Sequence, residues 1–289
     1  MVDIIKIVTD STADLPSEIC KKFDIGVVPY YLNYKGKSYK DRLDMKINEY
    51  YERLRKMEIP TTSIPSIGDV LQIYNKVAKK GVKIISLHIS SKLSGLLNVA
   101  NNARNTLKSM DIHIFDSLTF SGGLGLQVIA AAKMAKEGKS IKKILERLKV
   151  IRNKMETFAI LDTLEYLKRG GRIGSVEGFF GSILNIKPIL KVIDGELKPF
   201  SKTRSISKAM DKVLENIKGK IKENTQIEAA IMHANTIKRA DELKRKVLEK
   251  FNCREIVTLL VGPAIATHGG PGAVGISYFP VNEEDEEVK

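Results

Sequence analysis

Tryptophan is absent from this sequence, and only two cysteines and four histidines occur in its 289 residues. Cys20 and Cys253 show neither a disulfide framework nor a metal-ligand spacing, so a cytoplasmic location is expected. His88, His113, His233 and His268 are likewise too scattered for a metal site. No apolar run approaches the roughly 18–20 residues of a membrane span. The opening MVDIIKIVTD carries an early Asp and passes straight into a strand pattern, unlike a signal peptide. A Gly-x-x-x-x-Gly-Lys-Ser/Thr phosphate loop and a Gly-x-Ser-x-Gly nucleophile elbow are both missing. The run Ser121-Gly122-Gly123-Leu124-Gly125 matches a dinucleotide fingerprint only loosely and follows a late strand rather than the first. No cofactor and no metal are expected.

What the chain has in excess is positive charge, +14 from 48 basic and 34 acidic residues. Nucleic acid, an anionic membrane surface and an acidic protein partner all fit such a balance. Most of the lysines, however, share helical faces with Glu, as in Ile141–Met155 and Ala240–Lys250, and no aromatics interleave with them. That pattern reads as a solvated surface, with no nucleic acid partner expected and transient membrane contact left open.

The central stretch is VKIISLHISSKLSGLLNVANNAR, residues 82–104. Val82, Ile84, Ile85, Leu87 and Ile89 make a buried parallel strand. The run Ser90-Ser91-Lys92-Leu93-Ser94-Gly95 then breaks it, and a helix begins at Leu96. A strand ending in hydroxyls before a helix either caps that helix or offers its free N–H groups to an anion. Gly95 would let a ligand approach the backbone closely.

Similar endings recur. Ile4–Val8 stops in Thr9 to Thr12, and Ile112–Phe115 stops in Asp116-Ser117 before Ser121 and an apolar helix reaching Ala135. Ile25–Leu32 reads as the second strand, with a β excursion around Gly36 and helices over Asn48–Met57 and Ile67–Lys79. Two prolines hold Thr61-Thr62-Ser63 extended between Pro60 and Pro65. Alternating strands and helices predict a parallel sheet covered on both faces, whose strand ends share one rim. Three hydroxyl-rich ends and the Thr61–Ser63 loop thus predict a hydroxyl-lined crevice, with Ser63, Gly95 and Ser121 supporting it.

The amphipathic helix Ile141–Met155 reads as a bridge. Beyond it, Asp194-Gly195 between Lys187–Ile193 and Glu196–Ser201 signals a hairpin, and strands over Gln226–Met232 and Glu255–Val261 alternate with helices. The expected architecture is therefore α/β throughout. A three-layer, parallel-sheet first domain (1–155) precedes a second α/β domain (156–289) with a mixed sheet. Residues 262–275 read as a Gly- and Pro-rich loop, on which His268 is either a turn histidine or a donor or general base toward a ligand. Arg172 and Arg204 stand on Gly- or hydroxyl-rich turns, where they are either solvated or partners of an anion.

Taken together, the motifs Asp10-Ser11-Thr12-Ala13-Asp14-Leu15-Pro16, Thr62-Ser63-x-Pro65-Ser66, Ser90-Ser91-x-Leu93-Ser94-Gly95, Gly170-Gly171-Arg172-Ile173 and Thr267-His268-x-Gly270-Pro271-Gly272 resemble the DegV family. They fall in that family's order over nearly the whole chain. The resemblance implies a lipid-binding protein, not an enzyme by itself, that buries a long-chain fatty acid between two domains. It implies that Thr62 and Ser94 hold the carboxylate, with His268 beside them. It further implies a separate ATP-binding subunit of a fatty-acid kinase as partner, engaged through Arg172 and Arg204. Two departures, Ile64 after Thr-Ser and Leu96-Leu97 after Leu-Ser-Gly, are apolar and predict an altered acyl preference. Each buried CH₂ contributes about 0.8 kcal/mol, so hydroxyls and N–H groups need only replace the water lost by the carboxylate. The alternative is a hydrolase of an acyl ester, with Ser94 as nucleophile and His268 as base.

Overall fold

The computed structural model describes residues 4–78, 81–174, 176, 178 and 186–281. The first sheet is built from β1 (Ile4–Asp10), β2 (Gly26–Val28), β6 (Val82–His88) and β7 (Asp111–Asp116), in the order β2-β1-β6-β7. All three pairings are parallel. Between β1 and β2 lies α1 (Ser17–Lys22). The chain leaves β1 toward β2 on one side and returns to β6 on the other. The carboxyl ends of β1 and β6 therefore flank a topological switch point, where such sheets bind ligands.

The stretch predicted as one strand over Ile25–Leu32 divides instead. Pro29 has no N–H to give a sheet, and the Tyr30 N–H donates to Ser11 Oγ (3.1 Å), so the chain leaves after Val28. It enters a separate small sheet of β3 (Tyr31–Tyr34), β4 (Lys37–Lys40) and β5 (Thr61–Ser63), ordered β4-β3-β5. Its hairpin turns at Gly36, as expected, and Thr62 sits opposite Leu32.

Helices α2 (Ile47–Arg55) and α3 (Ile67–Val77) precede β6, and α4 (Leu96–Thr106) follows it. A capping box of Ser66 and Asp69 starts α3. Helices α3 and α4 pack on each other and on the parallel sheet, whereas α5 (Gly122–Lys136) and α6 (Ile141–Lys154) form the opposing pair. The result is the expected three-layer arrangement. Helix α5 is apolar on all sides because it also packs on the second sheet.

That second sheet joins β8 (Glu156–Ile160), β9 (Lys187–Ile193), β10 (Glu196–Thr203), β11 (Gln226–His233), β12 (Asn252–Leu260) and β13 (Val274–Val281). Its order is β10-β9-β8-β13-β11-β12, with β11 and β12 parallel and the other pairs antiparallel, so it is mixed as predicted. The Asp194-Gly195 turn closes its hairpin with both residues at positive φ. Side chains alternate between faces along each strand. Phe158, Ile160, Ile231 and Ile276 face α8 (Ile206–Lys218) and α9 (Ile237–Lys250) in one core. The other face of the sheet looks toward the parallel half. Between β8 and β9, α7 (Glu165–Arg169) leads into the turn that carries Arg172.

Residues 262–275 are not simply a loop. Gly262 and Pro263 open a short buried helix, α10 (Pro263–Gly269), which places His268 in its last turn. Proline supplies a pre-set φ at a position where no N–H is needed. The helix is held from outside by Tyr50, whose hydroxyl lies 3.1 Å from Pro263 O and 2.9 Å from Thr267 Oγ1. Tyr51 similarly donates to Val261 O at 2.6 Å.

Candidate binding site

One cavity lies between the two sheets. Its wall is apolar over most of its extent, formed by residues such as Ile89, Phe120, Leu161, Leu190, Met232 and Ile265. Into it come Thr12, Tyr30, Thr62, Ser94, Ser121, Arg172 and His268. Each predicted hydroxyl-rich strand end thus contributes one residue, Thr12 from β1, Ser94 from β6 and Ser121 from β7, and β5 adds Thr62.

The remaining hydroxyls of those strand ends serve the fold. Ser90 Oγ donates to Gly195 O (2.7 Å), and Ser117 Oγ to Thr119 O (3.2 Å). The side chain of Asp10 gathers the ends of β1 and β6. Its carboxylate accepts the N–H groups of Thr12 (3.0 Å) and Ile89 (3.1 Å), the Thr12 hydroxyl and His88 Nδ1 (3.1 Å). With four donors the buried charge is satisfied. His88 in turn meets Ser86 Oγ at 2.8 Å, and the Tyr74 hydroxyl donates to Ser86 at 3.0 Å. This Ser–His–Asp line is sealed in the core.

Ser94 is oriented by two hydrogen bonds. The Leu96 N–H (3.3 Å) and the Tyr30 hydroxyl both reach its Oγ. If both lone pairs accept, the Ser94 proton is left to point into the cavity. Tyr30 holds its own proton firmly, because burial, reinforced by Asp10, pushes its phenol well above the ordinary range.

His268 Nε2 lies 2.9 Å from Thr62 Oγ1. Burial, followed by the positive Arg172, lowers its pKa to about 4, so the ring is neutral near pH 7. Its Nδ1 finds no hydrogen-bond partner among the described residues. A lone pair is the cheaper group to leave unpaired, which places the proton on Nε2 and directs it to Thr62. Thr62 then keeps its own proton for a ligand. The imidazole packs tightly on Gly170, where a β-carbon would fall 2.1 Å from Nδ1.

The pairing differs from the nucleophile–base dyad of the hydrolase alternative. Ser94 pairs with Tyr30 and His268 with Thr62, rather than with each other.

The other expectations resolve individually. Ser121 lines the cavity but donates to Asp14 Oδ2 (2.6 Å), so it shapes the wall rather than offering a proton. Ser63 accepts from Asn33 Nδ2 (3.1 Å) beside the site, and Gly95 caps α4 behind Ser94. Arg172, on its turn in the second half, reaches the cavity. It is exposed, lines the same cavity, and donates to Gly170 O (2.9 Å). Arg204 does stand apart, exposed at the turn before α8. The apolar departures also fall outside the lining, since neither Ile64, Leu96 nor Leu97 is part of it.

Sequence reasoning missed Tyr30 and the clamp around Asp14. Asp14, at φ 56°, accepts Gly262 N–H (2.7 Å) and Arg42 Nη2 (2.9 Å) besides Ser121. It therefore fastens the start of α10 to the first sheet. Burial pushes its carboxyl up, opposed by Arg42 and the hydrogen bonds. Positive charge near an acidic turn was visible in the sequence, but the pairing spans 28 and 248 positions.

Chemically, the arrangement offers two hydroxyl protons and a nearby guanidinium at one end of an apolar cavity. A single carboxylate on a hydrocarbon matches it. Among the described residues, no group of His, Cys, Asp and Glu is arranged to hold a metal. No described helix is long and apolar enough to cross a membrane.

A family model described as "Uncharacterised protein, DegV family" matches residues 4–281. A DegV domain-containing protein of Caldanaerobacter subterraneus subsp. tengcongensis is 33% identical, over 95% of this chain and 98% of its own length. The fold is similar to a solved DegV family protein from Thermus thermophilus, described as binding fatty acid, with TM-score 0.90, 31% identity and coverage of 96% and 99% of the two chains. It is also similar to DegV of Bacillus subtilis, described as a fatty acid binding protein, with TM-score 0.85, 30% identity and the same coverage.

Proposed function

The chain belongs to the DegV family, and from that premise we propose that it binds one long-chain fatty acid in this cavity, with the carboxylate at Thr62, Ser94 and His268. The observation that carries the reading is the pairing of a hydrocarbon-lined cavity with two oriented hydroxyls at one end. Burial of the acyl chain supplies the affinity, at about 0.8 kcal/mol per CH₂ before the costs of ordering. The hydroxyls replace water on the carboxylate, whose burial would otherwise cancel much of that gain. The fatty acids bound by the relatives from Thermus thermophilus and Bacillus subtilis support the same assignment.

The reading extends to a carrier role. The acid would be presented to a separate ATP-binding kinase subunit, which would phosphorylate the carboxylate, while this chain performs no chemistry alone. The exposed Arg172 at the cavity is placed to meet such a partner or the arriving phosphate, and Arg204 would add a second contact. Residues 1–155 and 156–289 act in this scheme as two domains enclosing the acyl chain.

Mass spectrometry of lipid extracted from the purified protein tests the binding claim. A stoichiometric fatty acid is expected. A protein that carries no lipid and takes up none when offered it would refute the claim.

A further inference from the structure

The register of the second sheet shows where the cavity stops. Leu190, Ala159, Gly275 and Met232 form one cross-strand row, and all four line the cavity. Thr157, Ser277 and Ala230 form the next row on the same face, and none of them lines it. This second row lies under the start of α5, where a β-carbon on Gly122 would fall 2.8 Å from Ala230 Cβ.

From the first row, the Met232 side chain reaches toward the second. A methionine ordinarily adapts its shape through three free torsions, but here the sulfur is tethered. Gly122 N–H donates to Sδ at 3.1 Å, and Ser277 Oγ reaches it at 3.7 Å. Ser277 is itself 2.9 Å from Thr157 Oγ1, which is 3.0 Å from Thr119 Oγ1. With Ser277 donating to sulfur, the hydroxyls form a one-way chain, Thr119 to Thr157 to Ser277. Every proton is used, so this floor has nothing to offer a carboxylate and is costly for hydrocarbon to displace. The tether lays the Met232 methyl over Gly275, where a β-carbon would fall 2.9 Å from Cε and 2.4 Å from Phe158 O. Only glycine leaves that space.

We propose that Met232, held by Gly122 and Ser277, is the stop that sets the longest acyl chain this cavity accepts. The proposal rests on the fatty-acid reading. It moves the basis of chain-length preference from the apolar departures near Thr62 and Ser94, which lie outside the lining, to the wall formed by the second sheet.

The test is calorimetric titration of delipidated protein with saturated fatty acids of increasing length. At about 0.8 kcal/mol per CH₂, affinity should rise up to fourfold per carbon until the stop is reached, then fall. Met232→Ala removes three heavy atoms and should move that limit up by about two carbons. Met232→Leu keeps nearly the same volume, ends one atom sooner and loses the acceptor. It guards against failure of the alanine variant to fold, and should move the limit up by about one carbon. A folded variant with the parent limit would overturn the proposal while leaving the fatty-acid reading intact. Failure of the parent protein to bind any member of the series would overturn both.

Discussion

The imidazole of His268 and the hydroxyl of Thr62 meet at 2.9 Å across 206 positions of sequence, joining the end of a buried helix to a three-residue strand of another sheet. The contact turns two unremarkable surface-type residues into one oriented donor. Because burial keeps the ring neutral, the Nε2 proton is committed to Thr62 and the threonine proton is free for a ligand.

Thr62→Ala and Ser94→Ala should therefore each weaken fatty-acid binding by about 1–3 kcal/mol, the cost of leaving a charged partner short of a donor. Calorimetry on the delipidated variants reads this directly. Unchanged affinity in the double variant would remove both residues from the site.

Tyr30→Phe tests how Ser94 is oriented. The ring remains buried, but the hydrogen bond to Ser94 is lost, so the serine hydroxyl can turn away from the ligand. A loss of about 1 kcal/mol in affinity is expected, with thermal stability nearly preserved. Affinity equal to the parent's would show that Tyr30 has no part in positioning.

The two arginines should separate. Arg172 lines the cavity and its charge helps to depress His268, whereas Arg204 lies outside. Arg172→Ala should raise the His268 pKa, read by NMR titration, and weaken binding by about 1 kcal/mol or less, as for an exposed ion pair. Arg204→Ala should leave both unchanged and lower only acyl-phosphate yield when a cognate kinase subunit is present. A His268 pKa indifferent to Arg172→Ala would contradict the geometry.

Asp41 supplies a pH test. It is fully buried, and neither oxygen makes a hydrogen bond of normal geometry among the described residues, although Ser11, Arg42 and Ala264 N–H face it. Burial pushes its pKa up from 3.8 to about 7, with Asp14 adding to the effect. Between those values the folded protein holds a proton that the unfolded chain has released, so stability falls as pH rises from about 4 to about 7. His268 acts in the opposite sense, costing stability as pH falls from 6.5 toward 4. Asp41→Asn removes only the first effect. Its melting temperature relative to the parent should be higher at pH 8 than at pH 5, and an equal difference at both would refute the assignment.

How far the sequence went depended on the range of the interaction concerned. Period-two and period-3.6 patterns are local, so both sheets and the Asp194-Gly195 hairpin were legible. The parting of β2 from β3 was not, because it depends on a hydrogen bond from Tyr30 to Ser11, 19 positions earlier. Residues 262–275 were misread because seven helical residues, glycine and proline among them, give no periodic signal. Their helix is held by Tyr50 and Asp14 from the first half of the chain. Thr62, Ser94 and His268 were named from motifs, but which of them pair could not be read without the fold. That Arg172 reaches the cavity could not be read for the same reason.

The most direct test of the central claim is calorimetric titration of the delipidated protein with hexadecanoate, in parallel with its methyl ester. The expected result is one site per chain, with the ester bound at least tenfold more weakly because it lacks the charge that Thr62 and Ser94 address. Equal affinity for acid and ester, or no binding of the acid, would contradict it.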